Sequence, residues 1–181
     1  MYPIAVDQER LSLRELVPDD AAALMAVYGD PRTTAHLAME PHDHGQCVRL
    51  IESAAERAVE QPRTDYLLGI VSRDTGDLVG SARLRVDEHP HSAQIGFALR
   101  PDQWGRGMGA ETVRLLLHFG FGVLKLHRVW GVRAPEDTAS QLVMLAGGMV
   151  AEGRIRHHLP TVGGWRDSIV HSILVTEWAE P

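Results

Sequence analysis

The chain of 181 residues is 44% hydrophobic and 23% charged, which is enough for a single domain over residues 1–181 with a substantial core. Its formal net charge of −6, without a recognisable basic stripe, argues against a nucleic-acid partner. The single cysteine, Cys47, excludes an internal disulfide and a cysteine-based zinc site, and the lack of a long apolar run or leader argues against a membrane partner and favours a cytoplasmic protein.

The first third of the chain predicts one strand and two helices. Alternating apolar and polar residues predict a strand over Arg10–Leu16, and Pro18 with the two aspartates after it is a typical helix start. This first helix ends at Gly29. An irregular stretch from Pro31 to Gly45 precedes the second helix, which ends before Pro62, and such a loop is suited to line a binding site.

The middle of the chain predicts an antiparallel meander. Two runs typical of strands, Tyr66–Arg73 and Leu78–Val86, flank a turn at Gly76. A third run, AQIGFALR, follows the polar turn DEHPHS. Because the connections are short, we expect these three consecutive strands to pair in antiparallel fashion.

The last third predicts a crossover and a closing hairpin. The apolar helix AETVRLLLHFGFGVL leads to a strand over His127–Arg133, and a strand, helix, strand order normally gives parallel neighbours. A short helix in DTASQLVMLAGG precedes a hairpin around Gly163 and Gly164. We therefore expect an α/β (α+β) fold with a mixed, mostly antiparallel sheet of about six to seven strands, flanked by helices.

Three alternating glycines, Gly105, Gly107 and Gly109, lie between the third meander strand and the apolar helix. Glycine costs roughly 1 kcal/mol against alanine inside a helix, so this start sacrifices stability. A turn of this kind directs unpaired backbone N–H groups and the positive end of the helix dipole to one point, which favours an anion. Arg106 adds a positive side chain. The structural alternative is a tight turn with close helix packing.

Two common phosphate-binding motifs fit this stretch poorly. A P-loop needs Gly-Lys-Ser/Thr, which does not follow. Gly105, Gly107 and Ala110 satisfy the dinucleotide pattern G-x-G-x-x-A, and Arg133 is a candidate partner for a 2′-phosphate. That pattern belongs directly after a strand in repeated β-α-β units, whereas residues 100–104 intervene here and only one crossover is predicted. An NADP-binding protein is kept as an alternative.

The stretch IGFALRPDQWGRGMGAETVRLLLHFGF, followed by LHRVWGVRAPEDTASQ, closely resembles the GNAT superfamily of acetyl-CoA-dependent N-acetyltransferases, particularly the branch that includes ribosomal-protein N-terminal acetyltransferases. The resemblance extends from RLSLRELVPDD to GGWRDSIVHSIL, nearly the whole chain. It implies a GNAT-type fold and acetyl-CoA as the acyl donor. The implied acceptor is a primary amine, first a protein or peptide α-amine and second a small amine such as an amino acid, a polyamine or an aminoglycoside-type antibiotic. A non-catalytic acyl-CoA sensor is a further alternative.

The resemblance also assigns the cofactor site. The family's turn R/Q-x-x-G-x-G/A, which cradles the pyrophosphate of coenzyme A, corresponds to residues 104–109, with Trp104 in place of Arg or Gln. The preceding strand is assigned to the pantetheine arm, and the main-chain N–H of Leu99 to the thioester oxygen. The implied cofactor-binding residues are Phe97, Ala98, Leu99, Trp104, Gly105, Arg106, Gly107, Met108, Gly109, Ala110, Asp137 and Ser140.

The segment PEDTASQ resembles the family's Asn-x-x-Ser segment. Asp137 stands at the Asn position, and Ser140, about one helical turn later, is implied as the hydrogen-bond donor to the leaving sulfur. Ser140 and Leu99 are therefore the two implied catalytic residues. Because a serine hydroxyl is a weak acid, protonation through an ordered water stays open. Asp137 is also suited to cap the helix that follows, which is its favoured role.

The general base is left open. Relatives in this branch often have Glu just before the IG of the central strand, where this chain has Gln94, which cannot accept a proton. The candidates are Glu88, His89, His91 and His36, with a water relay as the alternative. An α-amino group, with a pKa of about 7.7 to 8, needs less help than an alkylamine with a pKa of about 10.4.

The remaining polar clusters predict no metal site. His42 and His44 have no further ligands at a recognised spacing. The resemblance places Trp165, Arg166 and Asp167 near the acceptor, where Asp167 meets either a cationic substrate or an arginine, Arg166 or Arg154. Cys47, on an early helix far in sequence from the glycine turn, supports direct attack without an acyl-enzyme. The oligomeric state is left open, with Trp and His residues of the closing hairpin as candidates for a homodimer contact.

Overall fold

The computed structural model describes residues 2–37, 39–89, 91–161 and 163–179. Within them, eight strands form one sheet in the order β1-β2-β3-β4-β5-β6-β8-β7. The strands are β1 (Ala5–Asp7), β2 (Leu11–Glu15), β3 (Asp65–Ser72), β4 (Leu78–Val86), β5 (Ser92–Leu99), β6 (Arg128–Arg133), β7 (Val150–Thr161) and β8 (Gly164–Leu174). The helices are α1 (Ala21–Tyr28), α2 (Pro31–Thr34), α3 (His44–Ala58), α4 (Met108–Leu117) and α5 (Thr138–Ala146). None of these helices combines the length and apolar character that a membrane crossing needs.

The prediction of six to seven strands is wrong, because β1 adds an eighth. This strand has only three residues, too few for any alternation to be recognised in the sequence. It pairs with β2, setting Val6 opposite Leu13, and both side chains are buried. The predicted meander and the mixed character of the sheet are confirmed, since β3, β4 and β5 pair in antiparallel fashion and β5 and β6 are parallel.

The parallel pair of strands opens towards one end of the sheet. β5 and β6 are paired at three positions only, from Ser92 opposite Arg128 to Gln94 opposite Trp130. Both strands continue, to Leu99 and Arg133, without further pairing to each other. β6 instead stays paired with β8 along its whole length. The divergence leaves a gap in the middle of the sheet, between the end of β5 and the end of β6.

Helices cover both faces of the sheet beside this gap. On one face the core includes Leu84 and Val129 of the sheet and Phe119 of the short π-helix after α4. On the other face Tyr28, at the end of α1, forms a 2.7 Å hydrogen bond with the hydroxyl of Ser81 on β4. The gap therefore connects two differently lined sides of the sheet.

Candidate active site

A cavity of about 550 Å³ lies where β5 and β6 diverge. It is lined by the end of β5, the glycine turn, the first turns of α4 and α5, and the segment around α2. Ten of the twelve predicted cofactor-binding residues line it: Phe97, Ala98, Leu99, Trp104, Gly105, Gly107, Gly109, Ala110, Asp137 and Ser140. The side chain of Met108 instead packs against the core, and Arg106 is exposed, with its carbonyl accepting a hydrogen bond from Arg10.

The backbone of β5 directs donors into this gap. The N–H of Arg100 donates to the carbonyl of Val79 on β4, at 2.8 Å. Because hydrogen-bonding groups alternate along a strand, the N–H groups of Leu99 and Phe97 face away from β4, towards the gap. The carbonyl of Leu99 accepts a hydrogen bond from the indole Nε1 of Trp104, at 2.9 Å. Trp104 thus ties the glycine turn to the strand, which explains a tryptophan where the family pattern has Arg or Gln.

The glycine turn forms a cradle of backbone donors. Gly105 and Gly107 have φ of +72° and +78°, a region that favours glycine, and Gly107 is the N-cap of α4 without a side-chain cap. The six N–H groups from residue 105 to residue 110 find no acceptor among the residues that the structure describes. Unpaired amides of this kind, at the positive end of a helix, favour an anion such as a diphosphate.

The third glycine, Gly109, has the packing role that the structural alternative predicts. A Cβ on Gly109 would lie 2.9 Å from a methyl carbon of Val143, which shows how closely α4 approaches α5. The first turn of α4 also holds the buried carboxylate of Glu111, which accepts bonds from the backbone N–H and the side chain of Arg10, at 2.8 and 2.7 Å. Arg10 therefore offsets a negative charge that would otherwise weaken anion binding at this helix end. Sequence reasoning missed this pair.

Asp137 caps α5, as predicted. Its carboxylate accepts the backbone N–H of Ser140 at 2.9 Å. The hydroxyl of Ser140 also donates to this carboxylate, at 2.6 Å. Ser140 therefore lines the cavity with its hydroxyl proton directed to Asp137, and it could donate to a ligand only if the hydroxyl turned away.

The proposed pairing of Arg133 with a 2′-phosphate is wrong. Its side chain is buried, and its guanidinium donates to the carbonyls of Ala134 and Pro135 and to the side chain of Gln141. Arg133 lines neither this cavity nor the larger one beside it, so its guanidinium is not placed to meet a ligand in either of them. The dinucleotide interpretation therefore loses the one residue that favoured NADP.

The segment around α2 closes the cavity from the other side of the sheet. Arg32, Thr33, His36 and Leu37 contribute to its wall. Sequence reasoning placed a loop here and named His36, but it missed α2 and the other three residues. Arg166 of β8 donates to the carbonyl of His36 at 2.5 Å, which fixes this segment to the closing hairpin.

Of the four candidate bases, His36 is the one that lines the cavity. Glu88, His89 and His91 lie in the turn before Ser92, at the far end of β5. At about 3.3 Å per residue, this turn is about 25 Å from Leu99. Gln94 is the last residue of β5 that pairs with β6, so it lies where the gap begins.

A second cavity of about 860 Å³ adjoins the first at Leu37, which lines both. It lies between the α2 segment and the closing hairpin, and most of its wall is apolar, with Trp165 exposed at 62%. Among the described residues, its charged side chains are Glu40 and Arg166.

Asp167 does not line either cavity. The backbone N–H of His157 and the guanidinium of Arg154 both bond to its carboxylate, at 2.7 and 2.6 Å, and lower its pKa. Of the two roles that the sequence left open for Asp167, the structure therefore has the ion pair, with Arg154.

Comparisons with known proteins point to one family. The family described as "Acetyltransferase (GNAT) domain" matches residues 10–150. The chain is 29% identical over 176 residues to the uncharacterized N-acetyltransferase YoaA of Bacillus subtilis, covering 96% of this chain and 98% of YoaA. The solved structure of Mycobacterium smegmatis RimJ in complex with CoA-disulfide has a TM-score of 0.86 at 22% identity and covers 99% of this chain and 91% of RimJ. A spermidine N-acetyltransferase from Vibrio cholerae, in complex with CoA and spermine, has a TM-score of 0.79 at 18% identity, with coverages of 94% and 98%.

Proposed function

Because the chain belongs to the GNAT acetyltransferase family, and is therefore an acetyl-CoA-dependent N-acetyltransferase, we propose that its acceptor is the α-amine of a protein or peptide N-terminus. We take residues 1–181 as one catalytic domain in the cytoplasm. The single continuous sheet supports one domain. The exposed side chains of Val150 and Ile155 on β7, the edge strand of the sheet, support a homodimer contact at the closing hairpin.

The residues present fit acetyl-CoA. The unpaired N–H groups of residues 105–110 would hold its diphosphate, and the free edge of β5 at Phe97 to Leu99 would pair with its pantetheine arm. When bound, acetyl-CoA supplies an acetyl group activated as a thioester. The N–H of Leu99 would then stabilise the negative charge that develops on the thioester oxygen, and the Ser140 hydroxyl would donate a hydrogen bond to the departing sulfur.

The larger cavity is the observation that carries the choice of acceptor. It adjoins, at Leu37, the cavity of about 550 Å³ where the transfer would take place, which we call the reaction cavity. Its own walls are mostly apolar. Glu40 is its one acidic residue among those described, and Arg166 offsets that charge. A polyamine carries several positive charges and needs several carboxylates along its path. A peptide, whose backbone is neutral and extended, suits an apolar groove with few charges.

A panel of acceptors tests this choice through the rate of CoA release. Peptides with a free N-terminus should give a kcat/KM at least about tenfold above that of spermidine, free amino acids or an aminoglycoside, because only the peptide fills the larger cavity. The same peptides with a blocked N-terminus and an internal lysine form the matched control, and they should be inactive. Turnover of the small amines without turnover of any peptide contradicts the proposed acceptor.

We assign proton removal from the amine to His36. An α-amine with a pKa of about 7.7 to 8 is roughly one tenth unprotonated at pH 7, so a base adds about tenfold. His36→Gln should therefore lower kcat/KM for a peptide acceptor about tenfold at pH 7. His44→Gln, on an exposed residue at the start of α3, is the control and should leave the rate unchanged. Equal rates for both variants would contradict the assignment and favour a water relay.

A further inference from the structure

The guanidinium of Arg133 lies enclosed beside the turn that carries Asp137 and Ser140. Arg133 is the last residue of β6 and is 8% exposed. Its Nη1 donates to the carbonyls of Ala134 and Pro135, at 3.0 and 2.9 Å, and its Nη2 donates to the side-chain oxygen of Gln141, at 2.9 Å. The three acceptors lie on both sides of the turn in sequence. The carbonyls of Ala134 and Pro135 come before Asp137, and Gln141 directly follows Ser140.

This buried cation has no carboxylate partner in the part of the chain that the structure describes. No ion pair joins Arg133 to an acid among the described residues, and its Nε has no acceptor there. His171, which pairs with Gly131 two residues earlier on β6, is fully buried, and burial, with the charge of Arg133, lowers its pKa. His171 is therefore neutral and does not add to the charge. Burying a charge that only neutral acceptors contact lowers the free energy of unfolding. An apolar residue at position 133 would avoid this desolvation cost.

We infer that Arg133 is a positioning residue that holds the Asp137–Ser140 turn in place, so that the hydroxyl of Ser140 stays at the wall of the reaction cavity. A guanidinium is a rigid fork with five donors, and it reaches the carbonyls on one side of the turn and Gln141 on the other. Lysine keeps the charge but has one flexible ammonium, which cannot hold both sides. The inference rests on the proposed function only for its kinetic readout, since Arg133 acts on transfer through Ser140.

A double-mutant cycle between Arg133→Lys and Ser140→Ala tests the inference, with any acceptor that the wild type acetylates. Each single variant should lower kcat about tenfold, because each removes or displaces one hydrogen bond to the departing sulfur, and losing one ordinary hydrogen bond corresponds to about a tenfold change in rate. The double variant should be no slower than Ser140→Ala alone, because a positioning residue has nothing left to position. The dissociation constant of CoA, measured by calorimetry, should stay within about twofold of wild type, because the backbone cradle at 105–110 is unchanged. Arg128→Lys, at the other end of β6, is the control and should leave kcat unchanged.

Three results would overturn the inference. If the double variant is about a hundredfold slower than wild type, the two effects multiply and Arg133 acts independently of Ser140. If Arg133→Lys does not fold, Gln141→Ala is the substitute, because it removes the hydrogen bond between the guanidinium of Arg133 and the side chain of Gln141. An unchanged kcat for Gln141→Ala would also overturn the inference. Hydrogen exchange at the Ser140 amide, which donates to Asp137, gives a readout without turnover. Exchange at this amide should be faster in Arg133→Lys than in the wild type, and equal exchange overturns the inference. This readout needs no turnover, so it stands even if the wild type acetylates no acceptor. That last result would refute the proposed function and not the inference.

Discussion

Replacing Leu99 by proline should lower kcat about 100- to 1,000-fold below that of Leu99→Ala, because it removes the backbone N–H that we propose as the donor to the developing oxyanion. The donor can be removed selectively, since the N–H of residue 99 faces the gap and the hydrogen bond to β4 belongs to Arg100. Leu99 is 6% exposed, so both variants lose the packing of a buried side chain. Alanine is therefore the matched control, as it keeps the N–H and loses the same side chain.

Single-turnover rates with saturating acetyl-CoA measure this effect apart from binding. Thermal unfolding of both variants, with and without CoA, tests whether the proline variant still folds and still binds CoA. If both variants melt alike, bind CoA alike and react at the same rate, the N–H of Leu99 does not take part in the reaction. The hydrogen-bond donor to the thioester oxygen would then have to be another N–H group along the free edge of β5.

The glycine cradle and the cap of α5 were predictable because both are local in sequence. The glycines of residues 105–109 act through their own backbone conformation, so a short stretch carries the information for a cradle. The capping role of Asp137 is local in the same way, since its partner is three residues away. The meander was predictable because its turns are short and its strands alternate in hydrophobicity.

The larger cavity and the contacts around it could not be predicted because they depend on residues far apart in sequence. The larger cavity forms only where the α2 segment meets the closing hairpin, as in the bond from Arg166 to His36, 130 residues apart. The pair of Arg10 with Glu111 spans 101 residues and has no local signature. α2 and β1 have four and three residues, too short for any periodicity. Arg133 was a candidate for a ligand contact because the sequence does not show that its side chain is buried. That burial depends on α5, whose Gln141 accepts a hydrogen bond from Arg133.

The double variant Gly105→Ala/Gly107→Ala should weaken CoA binding about 30- to 700-fold. Each alanine in a left-handed conformation costs about 1 to 2 kcal/mol, and a tenfold change corresponds to about 1.4 kcal/mol. An added Cβ meets nothing within 4 Å at Gly105, and its nearest neighbour at Gly107 is an arginine nitrogen at 3.5 Å. The effect is therefore conformational and not steric. A free turn relaxes away from the strained conformation, and the cofactor must restore that conformation on binding.

Gly76 provides the control that separates binding from stability. It has φ of +76° in the turn between β3 and β4, with nothing within 4 Å of an added Cβ. Gly76→Ala should therefore lower the melting temperature and leave the calorimetric affinity for CoA unchanged, since that turn is strained in the free and bound protein alike. If the glycine-turn variant instead binds CoA within about twofold of wild type, the backbone amides of residues 105–110 do not hold the diphosphate. The exposed side chain of Arg106 would then be the next group to examine, because it is the one cation in the turn.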